Sequence, residues 1–395
     1  MADHLIAGVR RDRLKHLMAR EARRFALGRP KAEAALAAGA AVFLDGVPMH
    51  WMKDWPMPHL PLVAKAAGAR ITDIDGYEID DFCLGDTGSM FGHSPKPVAK
   101  AIRHQARRGL TYMLPSEDAL EAGRLLTAQF GAFRWQIATT ATDANRFALR
   151  VARAVTGRPK VLVFNGCYHG TLDDTMVELQ RGVTLARSGL VGQVADLTLG
   201  AVAAEFNDLA GVEAALKAGD VAAILTEPVM TNSCMVLPEP EFHDGLRALA
   251  TRYGTVLIID ETHTISTGLG GYTRIHALSP DIFVVGKCVA GGMPTAAWGL
   301  SDDLAARYGK VNAARAPGHS GMGTTLSANP MQFACLRATL GEVMTAKNYA
   351  HMENLAEKLA LGLVEVIRSH DLDWHVVRAG ARVEFICAPG PLRNG

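Results

Sequence analysis

Cysteine is scarce in this chain of 395 residues, which holds six in all. Cys83, Cys167, Cys234, Cys288, Cys335 and Cys387 are scattered, with no CxxC pair and no zinc-site spacing. The expectation is reduced thiols in a cytoplasmic protein and no bound metal. Charge of one sign is lacking too. Lys and Arg number 41 against 40 Asp and Glu, a net charge of +1, so there is no electrostatic footprint for nucleic acid or a membrane surface. No run reaches the roughly 18 uninterrupted apolar residues of a membrane-crossing helix. The opening MADHLIAGVRRDRLKHLMAREARRF has no long apolar core and does not read as a signal peptide. Internal repeats and low-complexity tracts are absent as well.

What is present is core-forming material: 49% apolar and 21% charged residues, with abundant Gly and Ala. That suits helices packed closely on a sheet, and the length suits about two or three domains. Residues 10–38 are predicted as one basic, Ala-rich helix, an N-terminal arm. Residues 40–60, AAVFLDGVPMHWMKDWPMPHL, show no period and read as an ordered loop. ARITDIDGYEIDDFCLGD alternates around an Asp-Gly turn and predicts a β-hairpin. Helical patterns follow near 95–108 and 116–130. From 134 onward strands and helices alternate: WQIAT, a helix over 142–156, KVLVFNG, VAAILTEP, a helix over 239–253, TVLIIDE, DIFVVGK and TAAWGLS. Short apolar runs separated by helices predict an α/β fold with a mostly parallel sheet covered on both faces. Residues 329–367 read as one long broken helix, and RVEFICAP as a late strand.

In such sheets, sites lie outside the carboxyl ends of the strands. Four of those ends carry polar groups: Thr139–Thr142, Tyr168–His169, Asp260 and Lys287. Lys287 stands between FVVG and CVAGG. It is either a lysine that extends from a strand end to water or an imine-forming amine, since desolvation favours the neutral, nucleophilic form. Asp260, ending TVLIID, is either a cap or ligand, or the partner of a protonated pyridine nitrogen. TTATDAN opens a helix after a strand, where Thr140 or Thr142 caps the helix or helps to cradle a phosphate. Pattern alone favours capping. Tyr168 either stacks on a flat ring or fills a crevice.

Taken together, LTEP, LIIDE, VVGK, AGGMP and TTLSANP resemble the class III (subgroup II) aminotransferases, over about residues 65–345. The resemblance implies the fold of type I pyridoxal-phosphate (PLP) enzymes. A seven-stranded-type sheet in a large domain (116–330) would stand beside a smaller α+β domain drawn from both chain ends (61–115 and 331–395). Residues 1–60 would form the helical arm and loop, and the C-terminal part would be incomplete. The resemblance makes Lys287 the lysine that carries PLP as a Schiff base and Asp260 the pyridinium partner. It places Thr140, Ala141 and Thr142 at the phosphate loop, Tyr168 on the ring with His169 beside it, and Glu227 at the Glu-Pro strand end. Thr325 matches a threonine that reaches the phosphate of a second subunit, so a homodimer with shared active sites is implied.

The chain also departs from the family. Ala141 replaces a glycine, so the turn must avoid positive φ or accept strain. Asp143 replaces a glutamate. Thr262 and His263 replace the usual Val and Gln, which pack on the ring and lie near its hydroxyl. The loop at 46–58 has no arginine for a substrate carboxylate, and His50, Lys53 and Trp51 stand nearest that place. The implied activity is transamination between an amino acid (β- or ω-amino acids included) or an amine and an oxo acid. Alternatives are a glutamate-1-semialdehyde-type aminomutase, an amino-acid epimerase and a non-catalytic PLP-binding protein.

Overall fold

The computed structural model describes residues 5–395. Its centre is a sheet of seven strands: β1 (Arg134–Ala138), β2 (Lys160–Phe164), β3 (Ala201–Ala204), β4 (Val221–Thr226), β5 (Val256–Asp260), β6 (Ile282–Val285) and β7 (Ala296–Leu300). Their order is β3-β2-β4-β5-β6-β7-β1. From β3 to β6 neighbouring strands run parallel, and β7 is antiparallel to both β6 and β1. The predicted α/β class and mostly parallel sheet are what the chain adopts.

Strands β4, β5 and β6 are buried at every residue, which is why they read as unbroken apolar runs. Side chains alternate between the faces of a strand. Ile282 and Val284 of β6 thus enter one core with Phe147, Ala148 and Val151, while Phe283 and Val285 enter another with Phe130, Ile265 and Leu336. Phe147, Ala148 and Val151 lie on helix α1 (Ala141–Thr156), whose apolar positions recur at helical spacing.

The arm is two helices, Arg11–Gly28 and Pro30–Gly39, rather than one. Pro30 has no N–H and disfavours the α region for the residue before it, and Arg29 sits at φ −126°, ψ 51°. The break is anchored by Arg29, whose Nε donates to the buried Asp73 carboxylate at 2.8 Å. The predicted hairpin forms from Arg70–Asp73 and Glu78–Asp80, with Val63–Ala67 as a third antiparallel strand. The loop at 40–60 contains two short 3-10 turns, Leu44–Gly46 and His50–Asp54. The long C-terminal helix is broken as predicted, into Pro330–Ala338, a π turn at Thr339–Val343, and Ala346–Ser369. Arg382–Ile386 pairs with His375–Ala379. Strand β3 and the hairpin Val177–Gln180 with Val183–Ala186 were not predicted. Among the described residues no helix is long and apolar enough to cross a membrane.

Candidate active site

The parallel pair β5 and β6 places Asp260 opposite Val284, so Asp260 and Lys287 emerge at neighbouring strand ends. Both line a cavity of about 830 Å³. Thr140, Ala141, Thr142, Tyr168, His169, Glu227, Thr262 and His263 line it too, so the fold gathers these predicted residues in one place.

Thr140 caps α1, its Oγ1 accepting from the Asp143 N–H at 3.1 Å. Ala141 is the first helical residue and lies outside the left-handed region, so alanine brings no strain here. Closeness comes from glycines on neighbouring segments. A Cβ at Gly286 would stand 3.0 Å from the Ala141 Cβ, and one at Gly170 (φ +92°) 2.1 Å from Thr142 Oγ1. Thr140, Ala141 and Thr142 line the cavity at the start of α1, where first-turn N–H groups lack helical partners, an arrangement suited to a phosphate.

Asp260 is buried and fully engaged. Its Oδ2 accepts from Asn145 Nδ2 at 2.8 Å and pairs with His169 Nδ1 at 3.0 Å, and its Oδ1 accepts from the Thr262 N–H at 3.1 Å. Burial alone would raise the Asp260 pKa, but His169, Thr262 and Asn145 together hold it down at about 2. Burial would likewise lower the His169 pKa, and Cys167 and Asp260 outweigh it and raise it. His169 and Asp260 thus form a buried pair 3.0 Å apart.

Lys287 adopts a left-handed backbone, φ 50°, immediately after Gly286. Its Nζ contacts Asp86 Oδ2 and His263 Nε2. Asp86 stands in a run of four left-handed residues, Leu84, Gly85, Asp86 and Thr87. Hydrogen bonding to His263, together with Lys287, holds its carboxyl well below the usual range against the opposing effect of burial. Asp86, Asn145 and Thr231 were not singled out in the sequence. For Asp86 the available signal was the turn-prone stretch LGDTG that follows the hairpin.

The mouth takes Met49, Trp51 and Trp55 from the 40–60 loop. His50 and Lys53 do not line the cavity. They turn to Asp45, with Lys53 Nζ at 2.9 Å and His50 Nδ1 at 3.5 Å from its Oδ2. Their expected place beside a substrate carboxylate is therefore not what this arrangement provides. Thr325 is exposed and outside the cavity of its own chain, while the hydroxyls of its neighbours Thr324 and Ser327 lie 3.4 and 3.1 Å from Thr139 Oγ1.

Residues 52–383 match the family model described as aminotransferase class-III. The chain belongs to the class III aminotransferases. Glutamate-1-semialdehyde 2,1-aminomutase of Roseiflexus castenholzii is 35% identical over 335 residues, covering 84% of this chain and 76% of that one. The crystal structure of a glutamate-1-semialdehyde-aminomutase from Pseudomonas aeruginosa PAO1 superposes with a TM-score of 0.94 at 48% identity, covering 97% of this chain and 86% of that chain. A lysine-to-alanine variant of that protein is known in complex with PMP. An omega-transaminase from Sphaerobacter thermophilus gives a TM-score of 0.85 at 26% identity, covering 93% of this chain and 86% of that chain. This class III enzyme accordingly has the type I fold and uses PLP. The site fits that cofactor: a helix start with two threonines for the phosphate, an anionic Asp260 for the pyridinium, and the Lys287 amine. Thr262 lines the same cavity, and its buried Oγ1 has no partner within the protein.

Proposed function

We propose that the enzyme is an aminotransferase that moves an amino group from an amine, or from a β- or ω-amino acid, to an oxo acid. The observation that carries this is the pairing of Lys287 with Asp260 at adjacent strand ends, under a mouth walled by Met49, Trp51 and Trp55. No arginine lines the cavity among the described residues, and three carboxylates do: Asp86, Glu227 and Asp260. Such a site suits a donor whose carboxylate, if it has one, lies away from the reacting carbon.

Bound PLP supplies an aldehyde that condenses with amines and a cationic ring that withdraws electrons from the substrate carbon. Thr140, Thr142 and the N-terminus of α1 would hold its phosphate, and Tyr168 would cover its ring beside His169. Asp260, kept anionic by His169 and Asn145, holds the proton on the ring nitrogen. Lys287 would carry the cofactor between turnovers, and its freed Nζ would take up and return the proton of the substrate carbon. Thr262, His263 and Glu227, which line the same cavity, would border the ring. Thr325 would serve the phosphate site of a second copy, giving a homodimer with two shared sites.

The names of the relatives favour a second reading, an aminomutase that retains the amino group within one substrate. An epimerase would use the same lysine and ring partner. Lys287 and Asp260, both in place, argue against a purely PLP-binding role. The test is the absorbance of the holoenzyme during additions of amines and then oxo acids. Aminotransfer predicts that a donor removes the cofactor's visible band, releases a free oxo product, and that an oxo acid restores the band. If no donor acts and only glutamate-1-semialdehyde is converted, the aminomutase reading stands instead. Lys287→Ala should keep the fold and lose nearly all turnover, and borohydride should couple the cofactor to Lys287, as peptide mapping would read.

A further inference from the structure

Glu227 is a buried carboxyl to which the reaction above gives no proton-transfer task. Its Oε2 accepts from Thr231 Oγ1 at 2.5 Å, and its Oε1 has no partner within the protein. A hydroxyl has one proton to give. With that proton directed at Glu227, Thr231 Oγ1 meets His263 Nδ1, also 2.5 Å away, as an acceptor. His263 then carries its own proton on Nδ1 and presents a bare lone pair on Nε2, which faces Lys287 Nζ. The donors run in one direction, from Lys287 through His263 and Thr231 to Glu227. The reversed chain is equally complete: a protonated Glu227 donates to Thr231, Thr231 to Nδ1, and Nε2–H to the lysine lone pair. A chain satisfied in both directions is a path for a proton.

We propose that His263, Thr231 and Glu227 form a side-chain relay that draws a proton from the Lys287 amine and stores it on Glu227. Lys287 can take a proton from carbon only as a neutral amine, so any proton left on the freed amine, which Asp86 contacts, is surplus. The relay removes that surplus proton. The proton leaves Lys287 Nζ for His263 Nε2, the Nδ1 proton passes to Thr231 Oγ1, and the hydroxyl proton passes to Glu227 Oε2. One positive charge disappears from Lys287 and one negative charge from Glu227, and no bond between heavy atoms changes. Charged groups face both ends. Asp86 Oδ2 lies 3.5 Å from His263 Nε2 and accepts its proton only in the reversed chain, where Nε2 carries one, and His169 and Asp260 act on Glu227 at the other end. Burial, the strongest influence on Glu227, pushes it towards the neutral acid, opposed by His263 and His169 and assisted by Asp260. Glu227, Thr231 and His263 are therefore positioning residues that act through Lys287.

The inference rests on Lys287 being the reacting amine. The test uses holoenzyme and O-methylhydroxylamine, which removes the cofactor from Lys287 as an oxime whatever the natural donor is, and leaves the freed lysine with its proton. Infrared difference spectra should then show the carbonyl band of a newly protonated buried carboxyl. Glu227→Gln should lose the band. Thr231→Val, which keeps the shape and removes the hydroxyl, should lose it too, and Thr231→Ser should recover it. A wild-type spectrum without the band would overturn the relay, as would a band that persists in Glu227→Gln or Thr231→Val. Borohydride coupling at a residue other than Lys287 would instead overturn the assignment of the reacting amine, so the two failures are separable.

Discussion

Asp260 is anionic in a fully buried place because three protein donors surround it before any ligand arrives. Replacing it with asparagine should leave the cofactor bound through Lys287 and the phosphate cradle. Turnover should fall on the order of 10²–10³-fold, because a fixed charge at the developing electron sink is lost. The fit fails if Asp260→Asn retains wild-type turnover. Stability carries the same pair in its pH dependence. The lowered pKa of Asp260, about 2, contributes stability above about pH 4 that is lost as pH falls towards 2. The raised pKa of His169, about 10, contributes stability below about pH 6.5 that is lost as pH rises towards 10. Melting temperatures of the cofactor-free protein should decline in both windows, and both slopes should flatten in Asp260→Asn. Lys287 and Asp260 were legible in the sequence because each ends a run of apolar residues, where a charge needs a reason. Asp86 and Thr231 were not, because their contacts cross between distant segments and nothing in the local pattern marks them. His50 and Lys53 were picked because they are basic and near the mouth, but they do not line the cavity and both turn to Asp45.

At the scale of elements, the close approach of the β6 end to the start of α1 is what unites the phosphate cradle with Lys287. Gly286 permits it. Its φ of −139° is open to any residue, so the requirement is space and not backbone freedom. Gly286→Ala would press a methyl against Ala141 and should cost about 1–3 kcal/mol, the usual range for overpacking. The expected readings are a lower melting temperature together with weaker retention of PLP during dialysis. A variant with both properties unchanged would show that the cradle can yield without loss. The elements around this contact were legible where burial is two-sided, as in VLIID and IFVV, since every residue must then be apolar. Strand β3 was hidden because AVAA is short and alanine has little preference for strands. The single predicted arm helix broke because the pattern of apolar positions continued across Pro30 while the backbone could not.

At the scale of the whole molecule, Thr325 is exposed and lies outside its own cavity, on the segment whose Thr324 and Ser327 meet Thr139. The dimer proposed above gives it a function. Light scattering should report a mass of two chains for active enzyme. Thr325→Ala should weaken cofactor retention by roughly 1.5–3 kcal/mol, the worth of one hydrogen bond to a charged group, and leave the pH profile of turnover in place. An active species with the mass of one chain would end that proposal. A different consequence follows from the contact between Lys287 and Asp86, which joins residues 201 positions apart. Closing a loop of that length gains nothing until the segments between are in order, and such distant pairings are the slow steps of folding. The reactive amine should therefore meet Asp86 late. During refolding, far-ultraviolet circular dichroism should recover first, and the ability to capture PLP in its coloured, lysine-bound form should return only afterwards. A newly made chain would thus pass through a stage in which it is folded in outline and still chemically inert.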